Sequence, residues 1–236
     1  MPQVLSSREQ LKKDPLQETV KKGLEWVGSH RQTFLSIVGT AAVVLVVGAF
    51  IITNYKNVRS QAWERYSAGQ NAMIMQNWDG ALGLYNEVIT NYSRTPAAVY
   101  ALLSKGDVLH HQGKYQEAVD SYKQCLEKNP PKIILPLLLA SKGTAEEDLG
   151  DYGAAVVSYQ KFVSEFQDHY LSPKVYESLG RAHELTHNPD AAKEVYGQII
   201  TLFPGTPWAE VAKARYQSIS PQPFQNAQPG SPTQPK

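Results

Sequence analysis

The hydrophobic and polar positions of the chain follow two different patterns, and the first is a single apolar run near the N-terminus. No charged residue lies between Arg31 and Lys56, and residues 34–53 are apolar on every face of a helix. Twenty residues at about 1.5 Å per residue span roughly 30 Å, the thickness of the hydrocarbon core of a bilayer. The run is too long for the apolar region of a cleaved signal peptide, so it predicts an uncleaved transmembrane helix at 34–53.

The segments outside this run are shorter and more polar. The twenty residues on each side carry three basic residues each, and further basic residues near the N-terminus favour a cytoplasmic N-terminus. The tail 1–33 is partly amphipathic after Pro15, which suits either a helix on the membrane surface or a solvated helix. Residues 54–61 are predicted to form a linker that can be helical or hinged. Residues 220–236 are rich in proline and are predicted to be disordered.

The second pattern is an internal repeat of 37 residues between residues 62 and 219. Each copy has two helical stretches around a turn, and three residue types recur in register: Gly69, Gly106, Gly143 and Gly180; Ala81, Ala118, Ala155 and Ala192; Tyr85, Tyr122, Tyr159 and Tyr196. Small residues at a helix crossing let two backbones approach, and an aromatic ring one turn away fills the adjoining space. The pattern predicts an all-α solenoid of four helix–turn–helix units with a C-terminal capping helix at 207–219. Ser172–Pro173 and Thr206–Pro207 have the pattern of an N-cap followed by proline.

Glycine at unit position 8, alanine at 20, an aromatic residue at 24 and proline at 32 resemble the tetratricopeptide repeat (TPR). The usual TPR has about 34 residues, and the longer unit is similar to that of bacterial envelope TPR proteins. The layout of a basic tail, one span and TPR units resembles bacterial single-span inner-membrane proteins such as the ancillary subunit of the Sec translocon. Lys105, Lys142 and Pro189 depart from the residues usual at their positions.

The resemblance implies that the first helix of each unit lines a concave groove that binds a peptide or a partner helix. The residues it places there are Trp63, Tyr66, Gln70, Met73, Tyr100, Leu103, Asp107, His110, Thr144, Glu147, Lys174, Glu177, Arg181 and Glu184. The first two units offer aromatic and apolar groups, and the last two offer charges. This gradient predicts that the first units hold an apolar segment and that the last units orient it. The alternative is that Trp63, Tyr66 and Met73 pack against a second copy or against the preceding helix.

One motif points to an enzyme. Residues 183–187 read H-E-x-x-H, which on a helix can bind zinc beside a general base. His187 falls in the turn of the fourth unit, however, and no third ligand follows at a familiar spacing. The adjacent His110 and His111 point about 100° apart on a helix and do not chelate one ion. We therefore expect no catalytic residue, no metal and no cofactor, and we interpret Cys125 as a structural thiol.

The charge balance excludes a further class of function. The chain has 23 basic and 22 acidic residues, without the basic excess of a nucleic-acid-binding protein. The sequence therefore favours a membrane-anchored TPR scaffold or adaptor that binds polypeptide clients. The resemblance to envelope proteins implies a chaperone-like role in protein translocation or complex assembly. The expected partner is the Sec translocon or another envelope complex, and the expected location of the TPR domain is the periplasm. The alternatives are a self-assembling homo-oligomer and a cytoplasm-facing receptor on an organelle membrane.

Overall fold

A computed structural model describes residues 15–219, and the predictions for residues 1–14 and 220–236 lie outside this range. Within the range, the regular structure consists of ten α-helices. The chain divides into two compact parts, Met1–Val58 and Arg59–Lys236, and the boundary lies inside one long helix.

The N-terminal part contains helix α1, Pro15–Ser29, and the first portion of helix α2, Arg31–Ile74. Among the described residues, α2 alone is long and apolar enough to cross a membrane. An 18-residue window of α2 has a mean hydropathy of 2.7, and none of that window is buried. A signal sequence can have the same length and hydropathy, so these two properties identify α2 only as an exposed, apolar helix near the N-terminus. Residues 54–61, the predicted linker, are helical throughout.

The second part is a stack of helical hairpins. After the end of α2 its helices are α3 Trp78–Asn91, α4 Pro96–His111, α5 Tyr115–Glu127, α6 Leu135–Asp148, α7 Tyr152–Glu165, α8 Ser172–Leu185, α9 Pro189–Leu202 and α10 Pro207–Ile219. From α3 onward each helix packs against the next in sequence, and α4, α6, α8 and α10 also contact one another in order. The even-numbered helices therefore form an inner layer and the odd-numbered helices an outer layer. This is the predicted all-α solenoid, with α10 as its last helix.

The repeated glycine and tyrosine meet in the core of each hairpin. A Cβ atom at Gly106 would lie 2.3 Å from Cε1 of Tyr122, and the corresponding distance for Gly143 and Tyr159 is 2.4 Å. The other two copies repeat this contact, at 2.5 Å and 2.6 Å. The four tyrosines are at most 1% exposed, and the four repeated alanines are fully buried. The glycine is required because the ring occupies the volume of any side chain there.

The turn inside each hairpin also repeats every 37 residues. Its second residue has a left-handed backbone, with φ of 58° at Gln76, 73° at Gly113, 87° at Gly150 and 56° at His187. The backbone around each makes the paired hydrogen bonds of a Schellman motif; in the fourth hairpin, for example, Asn188 N donates to His183 O at 2.9 Å. Two of the four positions hold glycine, which adopts this conformation without steric cost.

The residue after each turn is the N-cap of the following helix. In three hairpins its side chain accepts a hydrogen bond from the helix backbone: Asn77, Asp151 and Asn188. Lys114 holds the same position in the second hairpin and makes no such bond. Thr206 also caps as predicted, since its hydroxyl accepts from Ala209 N at 3.3 Å. The prediction for Ser172 is wrong: this residue lies inside α8, and its hydroxyl donates to Phe166 O at 2.8 Å.

Candidate functional site

The first end of the inner layer carries an aromatic cluster formed by Trp63, Tyr66 and Tyr100. The ring centroids of Trp63 and Tyr66 are 5.5 Å apart, and those of Trp63 and Tyr100 are 5.3 Å apart. Centroid distances in this range are typical of favourable edge and tilted ring contacts. All three side chains are half-buried, so the cluster is held in place and still presents apolar surface.

Polar groups fix this cluster to the second inner helix. Gln70 Nε2 donates to Tyr66 Oη at 2.7 Å and to Ser104 Oγ at 2.9 Å. Met73 is half-buried beside the cluster. Leu103 departs from its predicted position in the groove, because it is only 5% exposed and belongs to the core around Tyr122. A helix has a core side as well as a groove side, and Leu103 lies on the core side of α4.

A pocket of about 250 Å³ lies in the middle of the inner layer, between α4, α6 and α8. Its apolar wall contains Leu137, Ala140, Leu171 and Val175, and its polar wall contains Asp107, His110, Ser141, Thr144 and Lys174. The predicted groove residues Asp107, His110, Thr144 and Lys174 therefore meet at one site. Ligand pockets for small molecules start at about 300 Å³, so this pocket suits one side chain of a larger partner.

The buried tyrosines reach this layer with their hydroxyl groups. Tyr122 Oη donates to Asp107 Oδ1 at 2.8 Å, and Tyr159 Oη donates to Glu147 Oε2 at 3.0 Å. Burial raises the pKa of both phenols well above the ordinary value, so they stay protonated and act as donors. Burial also raises the pKa of Asp107, against the stabilising effect of the Tyr122 hydrogen bond. In the first hairpin, Tyr85 faces Ser104 without a hydrogen bond of normal geometry, and burial raises its pKa to about 12.

The far end of the inner layer is a network of charges. Arg181 binds Glu147 of α6 through two nitrogens, at 2.6 Å and 3.1 Å, and binds Glu177 of its own helix at 3.1 Å. Arg215 of α10 binds Glu184 at 3.2 Å. The predicted groove charges Glu147, Glu177, Arg181 and Glu184 are thus partly consumed by ion pairs between successive inner helices. Lys174 remains exposed at the pocket.

The inner layer also contains a row of serines that our sequence analysis did not predict. Ser67, Ser104, Ser141 and Ser178 recur every 37 residues. Ser104 accepts from Gln70, Ser141 lines the pocket, and Ser178 Oγ lies 3.4 Å from a nitrogen of Arg181. The same spacing that revealed glycine, alanine and tyrosine would have revealed this row.

A second unpredicted feature is a buried ion pair. Glu146 is 1% exposed, and its carboxylate accepts from Lys142 Nζ and, at 2.5 Å, from Ser158 Oγ. Lys142 also donates to Ser158 at 2.8 Å. Lysine stands at this position, where the repeat usually has leucine, and its cation offsets the desolvation of the Glu146 carboxylate one helical turn away. The four-residue spacing of Lys142 and Glu146 along one helix could have indicated this ion pair from the sequence.

The residues of the H-E-x-x-H motif do not form a metal site. α8 ends at Leu185, and His187 is exposed in a left-handed turn. His183 is half-buried, and burial lowers its pKa. Within residues 15–219, no group of three histidine, cysteine, aspartate or glutamate side chains is placed to hold an ion. Cys125 is fully buried and its thiol lies 3.3 Å from Val99 O, as a structural thiol would.

The stacked helical hairpins, with a pocket and an aromatic cluster on their inner helices, make the second part of the chain an α-solenoid with a groove. Residues 66–132 match the family model of the tetratricopeptide repeat. Together with the repeated core contacts, this match supports the predicted all-α helical-repeat fold. No curated protein matches the chain significantly.

Solved structures share this architecture at low sequence identity. The crystal structure of MamA protein aligns with a TM-score of 0.54 and 19% identity, covering 67% of this chain and 85% of that chain. A MamA structure from Desulfovibrio magneticus RS-1 gives 0.54 and 18%, covering 67% and 88%. A tetratricopeptide repeat protein from Parabacteroides merdae gives 0.60 and 17%, covering 68% of this chain and 60% of that chain. These similarities establish the fold.

Proposed function

We propose that the TPR solenoid is a non-enzymatic protein–protein interaction module that binds a polypeptide segment along its inner layer. The observation that carries the proposal is the pocket between α4, α6 and α8, which lies on the same layer as the aromatic cluster. Solenoids of helical hairpins use this surface for partner binding. The pocket has the size for one anchoring side chain, and the aromatic cluster offers a second apolar contact.

The two contact areas differ in chemistry, which supports a directional mode of binding. Trp63 and Tyr100 present aromatic surface, which favours an apolar stretch of the partner. At the other end, Glu147 and Glu177 bind the guanidinium of Arg181, and Glu184 binds Arg215, so that end presents charged groups. A partner bound in the opposite direction would place its apolar groups against charges, at a desolvation cost.

The apolar run at 34–53 supports membrane anchoring of this module. A run of this length that is exposed on all sides requires a nonpolar environment, and a bilayer provides one. With the N-terminus in the cytoplasm, as the distribution of basic residues favours, the solenoid is periplasmic. We propose a scaffold or chaperone-like role in envelope protein translocation or complex assembly, with the Sec translocon or another envelope complex as partner.

Photo-crosslinking in membranes tests the binding surface. A photoreactive amino acid at position 63 or 137, on the inner layer, should crosslink to partner polypeptides, whereas one at exposed Val157 of the outer layer should not. Combined Trp63→Ala and Tyr100→Ala substitutions should weaken the crosslinks from a photoreactive amino acid at position 137. An unchanged set of crosslinked partners in this double variant would refute the groove as the binding surface.

A second candidate function is self-assembly, and the outer side of the last helix favours it. Trp208 is 36% exposed and Val211 is 47% exposed on α10, where a solenoid that ends in water usually has polar groups. A second copy packed against this end would cover them. Light scattering at increasing protein concentration tests this, with Trp208→Ser/Val211→Ser as the variant expected to stay monomeric.

A further inference from the structure

In successive hairpins a core tyrosine donates its hydroxyl to a carboxylate of an inner helix, and these carboxylates differ in whether they bind a cation. Asp107 accepts the hydroxyl of Tyr122 at 2.8 Å, and Glu147 accepts that of Tyr159 at 3.0 Å. In the fourth hairpin, burial and the neighbouring Glu184 raise the pKa of Tyr196. A carboxylate held this way is partly removed from water, so a cationic partner stabilises it further.

Two of the three carboxylates receive that cation from the next inner helix. Arg181 of α8 binds Glu147 of α6, and Arg215 of α10 binds Glu184 of α8. Among the ion pairs of the described residues, none involves Asp107 of α4. The nearby His110 has its own carboxylate, since its Nε2 lies 2.7 Å from Asp148 Oδ2.

Asp107 does not share the repeat position of Glu147 and Glu184, which His110 holds in the second unit, and the residues of α6 that face it are small. Thr144 of α6 is in the register of Arg181, one repeat earlier, and Ser141 is in the register of Arg215, two repeats earlier. Both are small, and both line the pocket of about 250 Å³ that opens beside Asp107. Open space bounded by small residues therefore lies beside Asp107, whose carboxylate accepts a hydrogen bond and makes no ion pair among the described residues.

We propose that this pocket binds the basic side chain, lysine or arginine, of the partner polypeptide, with Asp107 as its counter-charge. The inference rests on the proposed function of the groove. The aliphatic part of such a side chain would pack against Leu137 and Val175, and its cationic end would reach Asp107. Lys174 lies at the α8 side of the pocket with its side chain exposed, so it can turn into solvent.

Peptide pools of defined composition test the charge preference. Four fluorescent pools of extended peptides share uncharged random flanks and carry lysine, arginine, norleucine or glutamate at the centre. Binding to the full chain in detergent micelles is followed by anisotropy. The lysine and arginine pools should bind about tenfold more tightly than the norleucine pool, the ratio typical of one charge-assisted contact. The glutamate pool should bind most weakly.

Three variants separate the possible results. Asp107→Asn keeps an acceptor for Tyr122 and should remove the preference for basic pools. Asp120→Asn, which neutralises an exposed carboxylate of α5, should retain it. Ala140→Trp fills the pocket and should weaken every pool. A preference that survives Asp107→Asn, equal binding of the lysine and norleucine pools, or a preference for glutamate would overturn the inference.

The same experiment distinguishes a wrong assignment of the basic anchor from a wrong assignment of the groove as the binding surface. If all pools bind equally and Ala140→Trp weakens them all, the groove binds polypeptides and the assignment of a basic anchor is wrong. If no pool binds, or if Ala140→Trp leaves binding unchanged, the groove itself is not the binding surface and both proposals fail. Circular dichroism of each variant shows that the solenoid remains folded.

Discussion

The ring of Tyr122 lies against the backbone of Gly106, so that a Cβ at this glycine would be 2.3 Å from Cε1 of the tyrosine. The same contact joins helix pairs in all four hairpins. It sets how closely the two helices of a hairpin approach, and it also directs the tyrosine hydroxyl to the inner layer, where Asp107 accepts it. One packing contact thus serves both the core and the groove.

Substitution of this glycine should destabilise the solenoid. Gly106→Ala forces the Tyr122 ring or the α4 backbone to move, and overpacking of this kind costs about 1–3 kcal/mol. Gly83→Ala is the matched control: Gly83 is exposed in α3, and a Cβ there meets nothing within 4 Å. The control should be neutral or stabilising by about 0.5–1 kcal/mol. Urea unfolding followed by circular dichroism measures both. Equal stability of the two variants would contradict the packing argument.

The turn at His187 should tolerate glycine better than histidine. His187 has a φ of 56°, while the equivalent positions 113 and 150 carry glycine. A left-handed conformation costs a side-chain-bearing residue about 1 kcal/mol, so His187→Gly should raise the free energy of unfolding by up to that amount. Gly150→Ala should lower it by a similar amount. Destabilisation by His187→Gly would mean that the imidazole has a role beyond the turn.

The buried pair of Lys142 and Glu146 should be costly to break singly. Lys142→Met leaves the carboxylate of Glu146 without its cation in a site that is 1% exposed, a change that typically destabilises by about 3–5 kcal/mol. Replacing both residues, as Lys142→Met/Glu146→Leu, should recover most of the loss. Lys213→Met breaks an exposed pair with Glu210 and should change stability by less than about 1 kcal/mol. A double-mutant cycle in urea measures the coupling, and additive single effects would argue against it.

The thiol of Cys125 should be unreactive in the folded protein. Burial raises its pKa to about 12, so the nucleophilic thiolate is scarce at mildly alkaline pH. Alkylation by iodoacetamide should be slow in buffer and fast in urea. Because the pKa is higher in the folded state than the value of about 8.5 expected for the unfolded chain, this group stabilises the fold fully below that pH. Its contribution should decline as the pH rises from there towards 12, a decline that Cys125→Ala would lack.

The turns show how far prediction from the sequence reaches. The placement of His187 in a turn followed from its distance to Gly180, and the structure has it there. The N-cap prediction held for Thr206 and failed for Ser172, although both precede proline and both donate to the carbonyl of a phenylalanine after the preceding helix. The difference is that α8 begins at Ser172 itself, with Leu171 as its N-cap. The local sequence therefore indicates which residues can cap a helix, and packing in the folded chain decides which of them do so.

The groove shows the opposite limit. Asp107, Glu147 and Glu184 were all expected as groove charges, and their unit positions, 9 for Asp107 and 12 for the glutamates, do not show which of them forms an ion pair. The difference is the partner on the next inner helix, which for Glu147 is Arg181, 34 residues away. Leu103 likewise has the residue type of a groove contact and lies in the core.

The sequence by itself determined the repeat length, the all-α solenoid, the positions of the hairpin turns and the long apolar helix. These features depend on periodicity and on contacts between neighbouring helices, and four copies of one pattern make them readable without coordinates. Only the tertiary structure decided which charges of the inner layer are paired, where a pocket stays open and which lysine is buried. Those outcomes depend on side chains about one repeat apart, which meet only after the hairpins have stacked.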